Sequence, residues 1–392
     1  MKKLVKIVLL LGCFPFLLLL SGCWDNHELD TLFIVTGIGL DKSEENNEDM
    51  NIALQIGKPH SESGGSEESG ASSATIIMET KAKTMLEGLN ELNRNSSRTM
   101  LLPHNQVLIL GEDLAKEGIE SRIDWFLRSQ EARLEVLIMV AEGEAKEVLS
   151  AQLQQDQISG MYISRMMQDL SRISDNYEFR MFDFMSRLRD ETSSPMAPII
   201  SVTGEDDKKG LKIDGLAVFK NDKMIGQLTA DEMISYIWSM GSVKRCNITS
   251  EHEKGSAVFN IEKLNTKRKM EIKSDGNLKV VFEVDANVEI GELSGFDGLQ
   301  GQELAATLSQ VAEDSIQQRM QDTFKKAQSL NADIYEFGVS MKRRHPDEWE
   351  KMKENWDEVF SHIELDIQVK VKLPTTGKIV EPLEIGEGND EN

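Results

Sequence analysis

The side chains that could do chemistry are six histidines, three cysteines and sixty-seven carboxylates. Metal-assisted hydrolysis needs imidazoles one helical turn apart with a carboxylate between them, and no His-Glu-x-x-His occurs. Glu251-His252-Glu253 sets three candidate ligands in a row, but successive side chains in turn-like or extended backbone diverge, so the triplet reads as a solvated turn. There is no Gly-x-Ser-x-Gly elbow and no phosphate loop ending in Gly-Lys-Ser/Thr. Gly37 and Gly39 begin a glycine pattern that no third glycine or helix start completes, which argues against a dinucleotide loop. Pairing two carboxylates as acid and base has no content without geometry. One thiol stands apart: Cys23 follows Ser21 and Gly22, small residues that let a peptidase reach the backbone, and its sulfur can accept a diacylglycerol. The expectation is no catalytic residue, no cofactor, no metal, and a single modified side chain, Cys23.

The segment ahead of Cys23 delivers it to a membrane. Lys2, Lys3 and Lys6 form a positive start, and Ile7 to Leu20 is an apolar run, the layout of a signal peptide. Fourteen helical residues reach about 21 Å, short of a hydrocarbon core of about 30 Å, and Pro15 weakens a permanent span further. Leu20-Ser21-Gly22-Cys23 resembles the lipobox of bacterial lipoproteins, with cleavage between Gly22 and Cys23 and S-diacylglycerol, palmitate-type and with or without an added N-acyl chain, on Cys23. The protein is then lipid-anchored on the outer face of a cell membrane. Cys13 leaves with the signal peptide, so Cys246 is the remaining thiol, no internal disulfide is possible, and Cys246 reads as a small buried hydrophobe.

Composition sets the class of partner. The formal charge is −23, and losing three lysines and no acid takes the mature chain to −26. Such a surface repels nucleic acid and anionic head groups, so attachment has to come from the lipid, and two acyl chains suffice. With 40% hydrophobic residues and about 370 residues after cleavage, two or three cores can form.

Past a tether of seven residues, Trp24 to Asp30, which spans at most about 25 Å, Thr31 to Leu40 and Met50 to Ile56 read as strands of a hairpin. Residues 57–75, rich in Ser, Gly and Glu, read as a flexible loop. Helical spacing predicts helices over Thr80 to Asn93, Leu114 to Phe126 and Ala145 to Leu153, around short strands at Gln106 to Leu110 and Leu134 to Val140. Met161, Met166, Met167, Met181 and Met185 read as core filling on helices. Pro195, Pro198 and the charged turn Gly204 to Gly210 mark the best boundary. Leu211 to Phe219 and Met224 to Leu228 form a second hairpin, followed by a helix over Ala230 to Met240. Strict alternation over Leu278 to Ile290 and over Ile363 to Leu373 predicts long strands of an antiparallel sheet. A long helix spans Leu304 to Ala327 and a short one Pro346 to Phe360. The fold class is mixed α/β and α+β in several domains: signal peptide 1–22, anchor and tether 23–30, an N-terminal α/β domain 31–200, a middle segment 211–250, and a C-terminal α+β domain 251–385 with helices on one face of its sheet. Ser250 to Glu384 is expected to fold alone.

Cys23-Trp24-Asp25-Asn26-His27-Glu28-Leu29 resembles the start of the Ger(x)C family of spore germination lipoproteins, the C subunits of GerA-type nutrient germinant receptors. The likeness continues in Gly37 to Asp41, His104 to Lys116, Arg128 to Arg133, the hairpin Gly215 to Gly226, and the series Asp333, Phe337, Gly338, Pro346, Trp349 and Trp356. His27 replaces a basic residue, Ser129-Gln130 an Asp-Pro, and Glu336 a frequent glycine. The resemblance implies partner binding rather than catalysis: assembly with polytopic A and B subunits at the spore inner membrane, in a complex that responds to nutrients. For Gly37, Gly226 and Trp349 a packing role is the simpler reading. The alternative is a solute-binding lipoprotein of a nutrient transporter, which would show two doubly wound lobes.

Overall fold

The structure is a computed structural model that describes residues 31–45, 49–58, 75–153, 158–173, 179–204 and 209–373. The expected signal peptide, Cys23 with its expected tether, and nearly all of the expected 57–75 loop lie outside the described residues.

β1 (Leu32–Lys42) and β2 (Met50–Gly57) form the expected hairpin, paired from Ile34↔Gly57 to Lys42↔Met50. Next comes a strand, β3 (Thr75–Ala82), on the free side of β2. The helix expected from Thr80 therefore starts later, as α1 (Met85–Arg94), after Thr84, whose Oγ1 accepts from Glu87 N–H at 3.2 Å. Thr80 and Ala82 complete the ladder on β2, opposite Ile52 and Met50, and that pairing overrides the local helical spacing.

The sheet grows through β4 (Thr99–Leu101), β5 (Val107–Gly111), β6 (Leu137–Ala141), β7 (Met196–Thr203), β8 (Gly210–Lys220) and β9 (Lys223–Thr229), in the order β3-β2-β1-β5-β6-β7-β8-β9 with β4 beside β1. The centre, β1-β5-β6-β7, is parallel, and the outer pairs are antiparallel. Helices cover both faces. The single helix expected over Leu114 to Phe126 is two, α2 (Glu112–Glu117) and α3 (Glu120–Arg128), because Gly118 adopts φ +134° and ends the first. α4 (Ala145–Ser150), α5 (Ser159–Ile173) and α6 (Met181–Arg189) follow. Met167, Met181 and Met185 are buried on the last two, while Met161 is exposed.

Sheet pairing does not stop at the 204–210 turn. The hairpin expected in a separate middle segment, β8 with β9, is hydrogen-bonded to β7 from Met196↔Val218 to Thr203↔Gly210 and so belongs to the first sheet. Pro198 is tolerated within β7 because β6 meets that strand at Ile199 and Ile200. After α7 (Ala230–Met240), started by a Thr229/Glu232 capping box, the second sheet begins. Its order is β10 (Ser242–His252), β11 (Gly255–Ile272), β12 (Leu278–Gly295), β13 (Glu364–Lys372).

The first three strands are antiparallel, with β10 and β11 absent from the sequence expectation, and β13, expected in an antiparallel sheet, runs parallel to β12, from Lys279↔Glu364 to Asn287↔Lys372. The cause is α8 (Gly301–Ser329), which at about 1.5 Å per residue carries the chain back along the whole sheet before β13 starts. Between them lie α9 (Phe337–Arg344) and the expected Pro346 helix, divided by a 3-10 turn at Lys353–Asn355 into α10 (Pro346–Met352) and α11 (Trp356–Ser361).

Alternating residues of the central strands point to two cores. Leu108, Leu110, Ile138 and Val140 pack with α1, α2, α3 and α6, whereas Val107, Ile109, Met139 and Ala141 join a core continuous with α7, α8 and the second sheet.

Candidate functional site

Cys23 and Gly22, the expected lipidation and cleavage positions, lie outside the described residues. What is described is where the chain enters the fold. β1 lies inside the first sheet, with Leu32 beside Thr99 of β4 and Ile34 beside Gly57 of β2. The Phe33 ring carries the Arg98 guanidinium at 5.2 Å from its centroid. The described chain thus begins at Thr31, one residue ahead of a strand of the first sheet.

The glycines of Gly37-Ile38-Gly39-Leu40-Asp41 face a helix. A Cβ on Gly37 would stand 2.6 Å from Leu149 Cδ2, and one on Gly39 3.0 Å from Leu149 Cδ1, so their absence lets α4 lie against β1. At the end of the motif, the Asp41 carboxylate accepts from Ala145 N–H at 2.7 Å and Lys146 N–H at 3.1 Å, the first turn of α4. Burial pushes Asp41 up to about 6, and these two amides pull the other way. Its oxygens hold a helix start, where a dinucleotide loop would leave amides open for phosphate. Gln55, a polar side chain inside the apolar strand β2, works beside it: Nε2 donates to Leu149 O at 2.7 Å, and Oε1 accepts from Thr36 Oγ1 and Gly160 N–H, each at 3.0 Å. Sequence reasoning passed over Gln55, although a glutamine between Leu54 and Ile56 was a visible signal.

The closing series converges on Asp333, which is 2% exposed. Its carboxylate accepts from Phe337 N–H at 3.1 Å, Gly338 N–H at 2.8 Å and Trp356 Nε1–H at 3.3 Å, tying α9 to α11. Burial again dominates and raises it to about 6. Trp349 packs edge-on to Trp356 at 5.2 Å. Glu336 takes the left-handed conformation, φ +59°, the geometry that makes glycine frequent there. Gly226 leaves room for Leu330, whose Cδ2 would lie 2.7 Å from a Cβ. The buried Cys246 thiol is pushed up to about 11 by desolvation and is inert as a nucleophile. His252 closes β10 and stacks on Phe296 at 5.7 Å, so the Glu251–Glu253 triplet marks a strand end and turn.

In both raised carboxylates each oxygen accepts at least one N–H, an arrangement that fixes elements relative to one another. Among the described residues no three His, Cys, Asp or Glu side chains converge as a metal site. No described helix is long and apolar enough to cross a membrane. The concavities among the described residues include a groove of 760 Å³ between the β11–β12 turn and α10–α11, with Lys273, Lys351 and His362 on its walls, a polar cleft of 250 Å³ at the amino ends of β5 and β6, and another of 250 Å³ between α3, α6 and the β8–β9 turn.

Comparison with known proteins places these features. The family described as the spore germination protein N-terminal domain matches residues 25–202, and that described as spore germination B3/GerAC like, C-terminal, matches residues 214–377. The putative spore germination protein YfkR of Bacillus subtilis is 27% identical over 386 residues, covering 96% of this chain and 97% of that protein. Spore germination protein KC of the same organism is 25% identical and covers 96% of each. Among solved structures, that of the GerBC protein superposes with a TM-score of 0.52 at 20% identity over 86% of this chain and 96% of that one, which shows a shared fold. With both halves matched in order and relatives aligned along nearly their whole length, the chain belongs to the Ger(x)C family of spore germination proteins.

Proposed function

We propose that this chain is the lipid-anchored C subunit of a nutrient germinant receptor at the spore inner membrane, acting through binding of polytopic A and B subunits and not through catalysis. The observation that supports this reading most is the reach of the family match, which starts at residue 25, two residues past Cys23, and runs to residue 377. Anchor, short tether and family ectodomain then follow one another without a gap. The framework roles of Asp41, Gln55 and Asp333 agree with it, since they spend the buried polar groups on holding shape. The solute-binding alternative calls for two doubly wound lobes, whereas one mixed sheet and one mainly antiparallel sheet are found.

The anchor is tested by labelling with radioactive palmitate. Wild-type chain should take up label and stay with membranes through a high-salt wash, and Cys23→Ala should take up none and wash off. Labelling of Cys23→Ala, or wash-resistant binding of the correctly cleaved variant, would contradict the proposal.

A further inference from the structure

The two ends of the first sheet differ in charge and in apolar exposure. At the carboxy ends of β1, β5 and β6 the chain continues in Glu44 and Glu45, in Glu112 and Asp113, and in Glu142 and Glu144, none of them buried. Lys42, Lys116 and Lys146 offset this acid only in part. At the amino ends Lys58, Arg98, Arg133 and Arg180 stand against Glu131, Glu135 and Asp183, so that end is close to neutral.

Three of the five large apolar side chains exposed among the described residues lie at the neutral end: Phe182 at 59%, Met161 at 39% and Ile76 at 37%. Each comes from a different element. Phe182 of α6 donates its N–H to Leu134 O, ahead of β6, at 2.9 Å. Met161 of α5 follows Gly160, where a Cβ would stand 2.3 Å from Thr36 O of β1. Ile76 of β3 pairs with Ile56, one residue from the end of β2. Of the other two, Leu86 is on α1 beyond Ala82, at the acidic end, and Ile225 is on β9 at the far edge of the sheet.

The length of chain between Cys23 and Thr31 limits which end can meet a bilayer. Its seven residues reach at most about 25 Å. β1 has eleven residues and at about 3.3 Å each is about 36 Å long. With the acidic end on the membrane, Thr31 would stand farther from the lipid than the tether reaches. With the amino end on the membrane it is within reach. A molecule lying flat would satisfy the tether too, and the apolar side chains decide against it, since they would stay in water. Acid is repelled by anionic lipid, whereas a near-neutral end carrying a phenylalanine, a methionine and an isoleucine suits the boundary between headgroups and acyl chains.

We infer that the amino end of the first sheet is a lipid-facing surface, on which Phe182, Met161 and Ile76 enter the headgroup region while β1 runs away from the bilayer. The inference rests on the lipid-anchor reading above. It directs the acidic end into solvent and leaves the rim near Thr31 and Lys58 as the place where a membrane-embedded partner is met.

The test puts an environment-sensitive dye on the full lipidated chain at one site at a time, Met161→Cys, Phe182→Cys, Leu86→Cys or Ile225→Cys, each an exposed position. Cys246 is buried and does not compete for the dye. In phosphatidylcholine vesicles free of other protein, quenching by lipid spin-labelled near the headgroup should be roughly threefold stronger or more at the first two sites than at the last two. The melting temperature of each labelled chain should match that of the wild type. Equal quenching at all four sites, stronger quenching at the last two, or none while the chain stays on the vesicles would overturn the inference. Protection of the first two sites that appears only when membrane protein is added would overturn it as well, and give this end to a protein partner. Release of the chain from the vesicles would instead sink the anchor reading. The surface is then decided by a chain held through a histidine tag ahead of Trp24 on nickel-chelating lipid, which must show the same order of quenching.

Discussion

Asp333 gathers three N–H donors from two helices, and its removal strands all of them in the core. Asp333→Ala should cost on the order of 2–4 kcal/mol in urea unfolding, and Asp333→Asn, which keeps one acceptor, clearly less. A pH profile separates charge from contact. The carboxyl rises from 3.8 to about 6 on folding, so its contribution is fully present below about 3.8 and is lost as pH climbs through about 6. Between pH 7 and pH 5 the wild type should therefore gain stability relative to Asp333→Asn; equal slopes would show that the carboxyl is not raised. Asp190 and Asp366, held below the ordinary carboxylate range, act in the opposite sense and are shared by both chains, so the difference isolates Asp333. Gly160 gives a steric counterpart. A Cβ there would stand 2.3 Å from Thr36 O, a backbone atom that cannot swing away, so Gly160→Ala should cost about 1–3 kcal/mol and loosen the Gln55 network, read as a lower urea midpoint. At this scale the sequence showed which residues recur in the family, but not that Asp41 and Asp333 face amides roughly a hundred and a few residues away, respectively, in the chain, because hydrogen-bond partners come with the fold.

Elements were legible where apolar residues keep a regular spacing or fill a run between turn residues. β12 and β13 alternate, α7 runs from Ala230 to Met240 as its spacing predicts, β1 and β2 are apolar runs, and the β8–β9 hairpin turns at Asn221 and Asp222. β10 and β11 were not legible. Arg245 takes φ +54° and drops out of the register between Lys244↔Lys263 and Cys246↔Ile261, which breaks the period of two, and the far half of β11 is polar on both faces. Nor could spacing tell that β13 returns parallel, since that depends on α8. The missed strand moves the expected folding unit. A fragment cut at Ser250 lacks Val243, Cys246 and Ile248 of β10, and lacks α7, whose Tyr236 ring packs at 5.5 Å on Tyr335. A fragment from Ala230 to Leu373 should melt cooperatively and one from Ser250 to Glu384 should not, by circular dichroism and amide dispersion; cooperative melting of the shorter piece would restore the original boundary.

At the scale of the molecule, the proposed lipid anchor on Cys23 and its seven-residue tether would make proximity the source of affinity for membrane-embedded partners. A body confined to a thin shell above the bilayer meets embedded partners at high effective concentration, so contacts too weak to hold in solution suffice. On this proposal the lipid is part of the mechanism as well as the attachment. Cross-linking from Thr31 or Lys58, next to the tether, should capture polytopic proteins, and the same cross-linker placed at Asn221, on the turn of the β8–β9 hairpin, should capture fewer. The most direct measurement is germination itself, in spores from which this chain is deleted and which hold no other C-type subunit. Nutrient-triggered germination should be lost while germination by non-nutrient agents persists; intact nutrient responses in such spores would contradict the receptor account.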